Sequence, residues 1–435
     1  MHHFVVGTAE DESSDGVPAG CIDPYRTPGY LLIPPRSQES ISPTAVADTS
    51  YRTTRWIPFY GSFHDLPPPP EAVYPRTSSS PNILHGQSEI EDKIIASAPT
   101  SWMRKFLQFY RLTTAINASK KAGIVYNLSK DELDLVTSMN WVKNRRVLLV
   151  GDSVDRIAVL SFCQDLGLSM KSEGGPVHGK RQTTVYCHVP GVNFTLVQWH
   201  VPSMFTYRPD WWWEKNMTVV PFEQRLTEIY SKYSLPITIN AAGRAPDLIL
   251  VQTGFWDERA FRSGLHEEKE KNLPELLKTK MTWESDSQLA WNQLRFVNAR
   301  LQRVVAILRE IYGPDVPMMY RSMTTRKDSK QADLGMLSLD RMHRSMATHL
   351  GLEVFDWSRI VYGHSSEYKD QLHVHAGPLT WVFDDMLLSY LFRAAGGIED
   401  QGKVIHWPSM NSDMMWQNGL NWQRCHAYLK RSENR

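Results

Sequence analysis

The chain predicts a three-layer α/β/α domain built on a mostly parallel sheet, and two observations carry the prediction. Short apolar, β-branched runs recur along it at Val147 to Val150, Phe194 to Trp199, Leu248 to Val251, Met318 to Met323 and Leu352 to Trp357. The segments between them have helical spacing and the length of a crossover connection, which parallel strands need and which covers both faces of a sheet.

The elements follow in order. Arg146-Val-Leu-Leu-Val-Gly-Asp-Ser153 is an apolar strand running into Gly-Asp-Ser, and Val154 to Leu166 then reads as a helix. Thr183 to Val189 looks extended. Ala290 to Tyr312 carries apolar residues at Leu294, Val297, Leu301, Val304, Val305 and Leu308, an amphipathic helix stopped by Gly313-Pro314. Leu337 to Leu350 repeats the pattern before Gly351. A polar loop, Gly363 to Lys369, precedes a last helix over Leu379 to Ala394. This divides the chain into an irregular Pro/Ser-rich arm over 1–99, a catalytic domain over 100–400 and a Trp-rich tail over 401–435 packed back on the domain. The arm holds 14 of the 26 prolines, and its aromatic island from Tyr51 to Phe63 suits surface wrapping. The tail holds Trp407, Trp416 and Trp422.

Composition narrows the function. Lys and Arg number 48 against 47 Asp and Glu, so general nucleic-acid affinity has no support. No stretch approaches the ~18 apolar residues of a membrane span, and Met1 to Ser14 lacks a signal-peptide core. The four cysteines, Cys21, Cys163, Cys187 and Cys425, have no zinc-binding spacing. The expectation is an enzyme with no metal and no cofactor.

Chemistry is best placed at Ser153. Ligand sites of open α/β sheets lie at the carboxyl ends of strands, and a helix start offers N–H groups to an oxyanion. A turn and helix cap explain the same residues without chemistry. Two Asp-x-x-His pairs offer a base. Asp340-Arg-Met-His343 falls within a helix, where an ion pair on a solvated face is the ordinary reading. Asp370-Gln-Leu-His373 sits in a loop after the last strand, which order and location favour. His375 is a substitute base or a surface histidine. Gly174 to Lys180 nearly spells a phosphate loop, but Arg181 stands where Ser or Thr is required. Trp211 to Trp213 suit either sugar stacking or loop anchoring.

Gly151-Asp152-Ser153, Phe194 to Pro202, Asp247 to Trp256, Tyr320-Arg-Ser-Met323 and Asp370-x-x-His373, in this order, resemble the successive blocks of the PC-esterase group. That group includes the plant trichome-birefringence-like polysaccharide O-acetyltransferases and related fungal proteins. The resemblance runs from about Trp141 to Ala395 and implies an SGNH, or GDSL-like, hydrolase fold. It implies Ser153 as nucleophile, His373 as base and Asp370 as its orienting carboxylate, with Gly151, Asp152, Gly254, Trp256 and Asp257 at the oxyanion and substrate-binding positions. Typical SGNH hydrolases have Gly-x-Asn-Asp, where this chain reads Gly254-Phe-Trp256-Asp257, so the oxyanion hole is expected to rest on the backbone N–H groups of Ser153 and Gly254. The partners implied are an acyl donor and a glycan or polysaccharide acceptor. Transfer to a glycan, hydrolysis of its O-acetyl groups, and a silent glycan-binding protein all fit.

Sequons begin at Asn117, Asn127, Asn193 and Asn216, and Cys163 and Cys187 suit either a bridge or two buried thiols. The sequons favour a secretory route, while the cysteine count leaves the compartment open. The resemblance implies a Golgi-lumen enzyme tethered by an N-terminal membrane helix. None is found here, so the chain is expected to be truncated, to start at a wrong gene model, or to be a soluble variant.

Overall fold

The computed structural model describes residues 23–26, 29–33, 50–58, 101–173, 184–201, 222–240, 243, 245–262, 289–327, 334–395, 398–400 and 403–405. Two short strands near the start, β1 (Gly29–Leu32) and β2 (Arg55–Pro58), pair antiparallel. After α1 (Trp102–Lys121) and α2 (Lys130–Met139) comes β3 (Arg146–Gly151), followed directly by α3 (Ser153–Asp165). Next are β4 (Lys171–Glu173), β5 (Thr184–Val189) and β6 (Phe194–His200), then α4, which begins at Phe222 and ends at Thr238 with a π-helical middle. The chain continues through β7 (Leu248–Val251), α5 (Phe255–Arg262), α6 (Trp291–Tyr312), β8 (Met318–Arg321), α7 (Leu334–His349), β9 (Glu353–Phe355), α8 (Trp357–Val361) and α9 (Pro378–Ala394). A small hairpin of β10 (Ile398–Asp400) and β11 (Lys403–Ile405) follows.

The main sheet has seven strands in the order β4-β5-β6-β3-β7-β8-β9. From β6 to β9 every neighbouring pair is parallel, while β4, β5 and β6 run antiparallel. Both faces are covered. Val147 and Leu149 of β3 join the core formed with α1, α3 and α9, whereas Leu148 and Val150 join the one formed with α4 and α6. Leu248 and Leu250 of β7 divide from Ile249 and Val251 in the same way. Two-sided burial is the reason these strands are apolar throughout rather than alternating. The layered α/β architecture and mostly parallel sheet read from the sequence are therefore present, and β3 lies near the sheet's centre.

Described parts of the first hundred residues dock on α9 and α3. Tyr25 donates to Asp385 at 2.8 Å, Tyr390 to Asp23 at 2.8 Å, and Tyr51 to Asp165 at 2.5 Å. Cys163 of α3 and Cys187 of β5 form a disulfide. Among the described residues no helix is long and apolar enough to cross a membrane. Trp211 to Trp213, Gly174 to Lys180, Asn216, Cys21, Cys425 and the three tail tryptophans lie outside the described residues.

Candidate functional site

Strand β3 ends in the sheet's central region and turns into α3 within one residue, Asp152. Its side chain accepts the Val154 N–H at 2.9 Å, and the Asp155 carboxylate accepts the Asp152 N–H at 3.2 Å, a reciprocal cap that fixes the turn. Ser153 is the first residue of the helix, so its hydroxyl stands beside backbone N–H groups at the positive end of a helix dipole. Gly151 is required by packing. A Cβ there would lie 2.0 Å from Asp155 Oδ2 and 3.3 Å from the Gln252 carbonyl oxygen.

The loop before α9 delivers the partners. His373 Nε2 lies 2.8 Å from Ser153 Oγ. His373 Nδ1 lies 2.9 and 2.8 Å from the two Asp370 oxygens. The carboxylate is itself held, since Asp370 Oδ1 also accepts the N–H groups of Leu372 and His373, both at 2.9 Å. The loop is tied down around them: Lys369 N–H donates to the His373 carbonyl at 2.7 Å, Lys327 N–H to the Gln371 carbonyl at 2.9 Å, and His375 N–H to the Glu367 carbonyl at 2.8 Å. Partial burial would raise the Asp370 pKa, and the hydrogen bonds from Leu372 and His373 outweigh it, leaving the carboxyl below its ordinary value. An ionised carboxylate on Nδ1 leaves Nε2 as the acceptor facing the hydroxyl, the arrangement a general base needs.

The other expected residues fall in different places. Gly254 follows β7, which pairs directly with β3, so its N–H belongs to the same edge of the sheet as Ser153. Its φ of +150° and a Cβ position 2.5 Å from Met323 Sδ both demand glycine. Trp256 is half-buried against the core at the start of α5, and Asp257 is fully buried one residue on. Gly151 and Asp152, expected at the oxyanion and substrate positions, are buried behind Ser153. Burial pushes the Asp152 carboxyl up to about 6 against the opposing pull of Arg321. His375 is exposed, and it is His373 that reaches Ser153.

The reading of the Asp340-x-x-His343 pair is corrected by the structure. His343 is fully buried beside Tyr320, with its ring in edge contact at 5.5 Å, and burial lowers its pKa to about 3. It is therefore a neutral core residue and not half of a solvated ion pair. Asp340 serves other groups, accepting from Tyr320 Oη at 2.9 Å, Met323 N–H at 2.8 Å and Arg344 Nε at 2.5 Å.

Two residues behind the site went without a role in the sequence. Gln198 Nε2 donates to the Gly151 and Asp152 carbonyl oxygens, each at 3.1 Å, pinning the strand end. Arg321 grips Asp155 through Nε at 2.6 Å and Nη2 at 2.9 Å. A signal for Arg321 was present, since a lone guanidinium in the apolar run Met318 to Met323 has to find an anion once buried. Among the described residues no group of His, Cys, Asp or Glu is arranged to hold a metal.

No family model matches the sequence, and no curated protein matches it. Among solved structures, a candidate GDSL-like lipase from Parabacteroides merdae is similar over 57% of this chain and 97% of its own, at 10% identity and a TM-score of 0.33.

Proposed function

We propose that the protein transfers acyl groups, acetyl foremost, to hydroxyls of a glycan or polysaccharide through an acyl-serine at Ser153. The single observation behind this reading is the hydrogen-bonded chain Asp370–His373–Ser153 at the carboxyl edge of the sheet. In the forward half-reaction Ser153 Oγ attacks the donor's acyl carbon while His373 Nε2 takes its proton. The oxyanion forms beside the α3 N-terminus and the Gly254 N–H, and its collapse expels the leaving group, which receives the proton from His373. A sugar hydroxyl then repeats the sequence in reverse, giving its proton to His373 and taking the acyl group. The acceptor class rests on the order of sequence blocks that resemble PC-esterases. The buried Cys163–Cys187 bridge supports an oxidising, secretory setting.

Hydrolysis is the second reading, and one observation favours it. The Asp370 side chain is 51% exposed and that of His373 22% exposed, so water reaches the base without displacing any described segment. The two readings share the acyl-enzyme and differ in what collects the acyl group. Incubation with an activated acetyl ester, with and without xylan or mannan oligosaccharides, separates them by mass spectrometry of acetylated sugar and free acetate. Transfer predicts sugar acetylation at the expense of acetate. Acetate release that no acceptor alters would overturn transfer in favour of hydrolysis.

A further inference from the structure

Three charged side chains are buried directly behind the Ser153 turn. Arg321, the last residue of β8, is fully buried and holds both oxygens of Asp155 in a fork-to-fork pair at 2.6 and 2.9 Å. Its Nη1 donates to the Ser322 carbonyl at 3.0 Å, and Nη2 stands 3.8 Å from Asp152 Oδ1. Asp155 holds the Asp152 N–H, and Asp152 holds the Val154 N–H, so one guanidinium ties the whole turn carrying Ser153 to a strand two places away in the sheet. Glycine at 151 makes this possible, because any Cβ would occupy the space of the Asp155 carboxylate.

The charges do not balance within the cluster. Asp152 faces Arg321 on β8, Asp155 on its own helix and His373 from the loop, while the Gln198 amide of β6 touches only its carbonyl oxygen. Asp152 Oδ2 is buried without a hydrogen-bond partner among the described residues. Two carboxylates against one guanidinium leave an excess negative charge, and the nearby group able to become its cation is the His373 ring. An imidazolium forms there when Ser153 gives up its proton.

We propose that Arg321 is a positioning residue that fixes the Ser153 turn through Asp155, and that Asp152 is a buried anion favouring the imidazolium of His373 during acylation. The proposal rests on the acyl-serine reading above and adds residues to it. The proton moves only from Ser153 Oγ to His373 Nε2, so no further reactant is needed.

The test is the rate of covalent labelling of the purified full chain by a fluorophosphonate, followed against pH for wild type, Asp152→Asn, Arg321→Gln and Arg321→Lys, with Ser153→Ala as control. Removing the Asp152 anion moves the acid limb of the profile to lower pH, because His373 then holds its proton less tightly. Arg321→Gln moves that limb to lower pH as well, since Asp152 loses the cation that opposes its burial and takes up a proton, so the anion is lost as in Asp152→Asn. Arg321→Lys keeps the charge but loses the fork, so the limb stays near its wild-type position while the rate falls by up to about 100-fold, the scale of a misplaced reacting group. Acid limbs of Asp152→Asn and Arg321→Gln that coincide with wild type would overturn the charge role. A wild-type rate for Arg321→Lys would overturn the positioning role. Should Arg321→Gln not fold, Asp152→Asn and Arg321→Lys decide both questions alone. Labelling of Ser153→Ala at the wild-type rate would sink the acyl-serine reading itself, and this proposal with it.

Discussion

Ser153 has no packing duty that alanine cannot fulfil, because its hydroxyl contacts the His373 ring and fills no core position. Ser153→Ala is therefore expected to lower acyl transfer by roughly three orders of magnitude or more while leaving the melting temperature unchanged, as read by activity assay and calorimetry on one preparation. Asp370→Asn should cost less than His373→Ala, since a carboxylate that is 51% exposed acts through partly screened electrostatics. Equal losses for the two would mean that the Asp370 contact matters more than its exposure allows. His343 gives the opposite pattern. Its folded pKa of about 3 lies below the unfolded value of ~6.5, so the unfolded chain binds the extra proton between those limits. Its contribution to stability is complete above the upper limit and is lost as pH falls toward the lower one. Relative to wild type, His343→Leu should gain urea resistance progressively below about pH 6.5 and keep its activity; a constant difference across pH would place His343 outside the core.

At the scale of elements, the junction between β3 and α3 is the sensitive point. Gly151→Ala forces a methyl group against Asp155 Oδ2 at 2.0 Å, so the first turn of α3 has to lift, costing about 1–3 kcal/mol together with most of the activity. Denaturant unfolding checks the first and labelling kinetics the second, and a fully active, fully stable variant would show that the turn tolerates displacement. Both ends of this junction were legible in the sequence. The strand itself was readable because Val147 to Val150 is apolar without interruption, and α3 because Asp152 and Ser153 are natural helix-start residues. What holds them could not be read, since the Arg321–Asp155 pair joins residues 166 positions apart in sequence and depends on which strands become neighbours. The same holds for His343. Its three-residue spacing from Asp340 suited a surface pair, and only the packing of α7 against the sheet decides that the ring points inward.

The described fold centres on a mostly parallel sheet whose carboxyl edge brings together Ser153 from the turn after β3 and His373 from the loop before α9. The disulfide joins α3 to β5 across a separation of 24 residues, with both sulfurs in the main core. Replacing Cys163 and Cys187 by serine is expected to lower stability by about 2–4 kcal/mol. Labelling of Ser153 should persist below the melting temperature, because Cys163 lies near the other end of α3. Unchanged melting on mutation or reduction would show that the bridge carries no stability. Fold class was legible because local patterns encode it, and sequence order pointed to the loop from which His373 meets Ser153. The acceptor is not encoded locally, since it depends on surfaces assembled from distant segments. The central claim is that Ser153 carries the acyl group, and the most direct measurement is intact-protein mass spectrometry after brief exposure to an activated acetyl ester, with peptide mapping of the adduct. The account predicts one added acetyl group on Ser153, absent from Ser153→Ala and slow to form in His373→Ala. An acetyl group mapped to any other residue, or equal acetylation of Ser153→Ala, would contradict it.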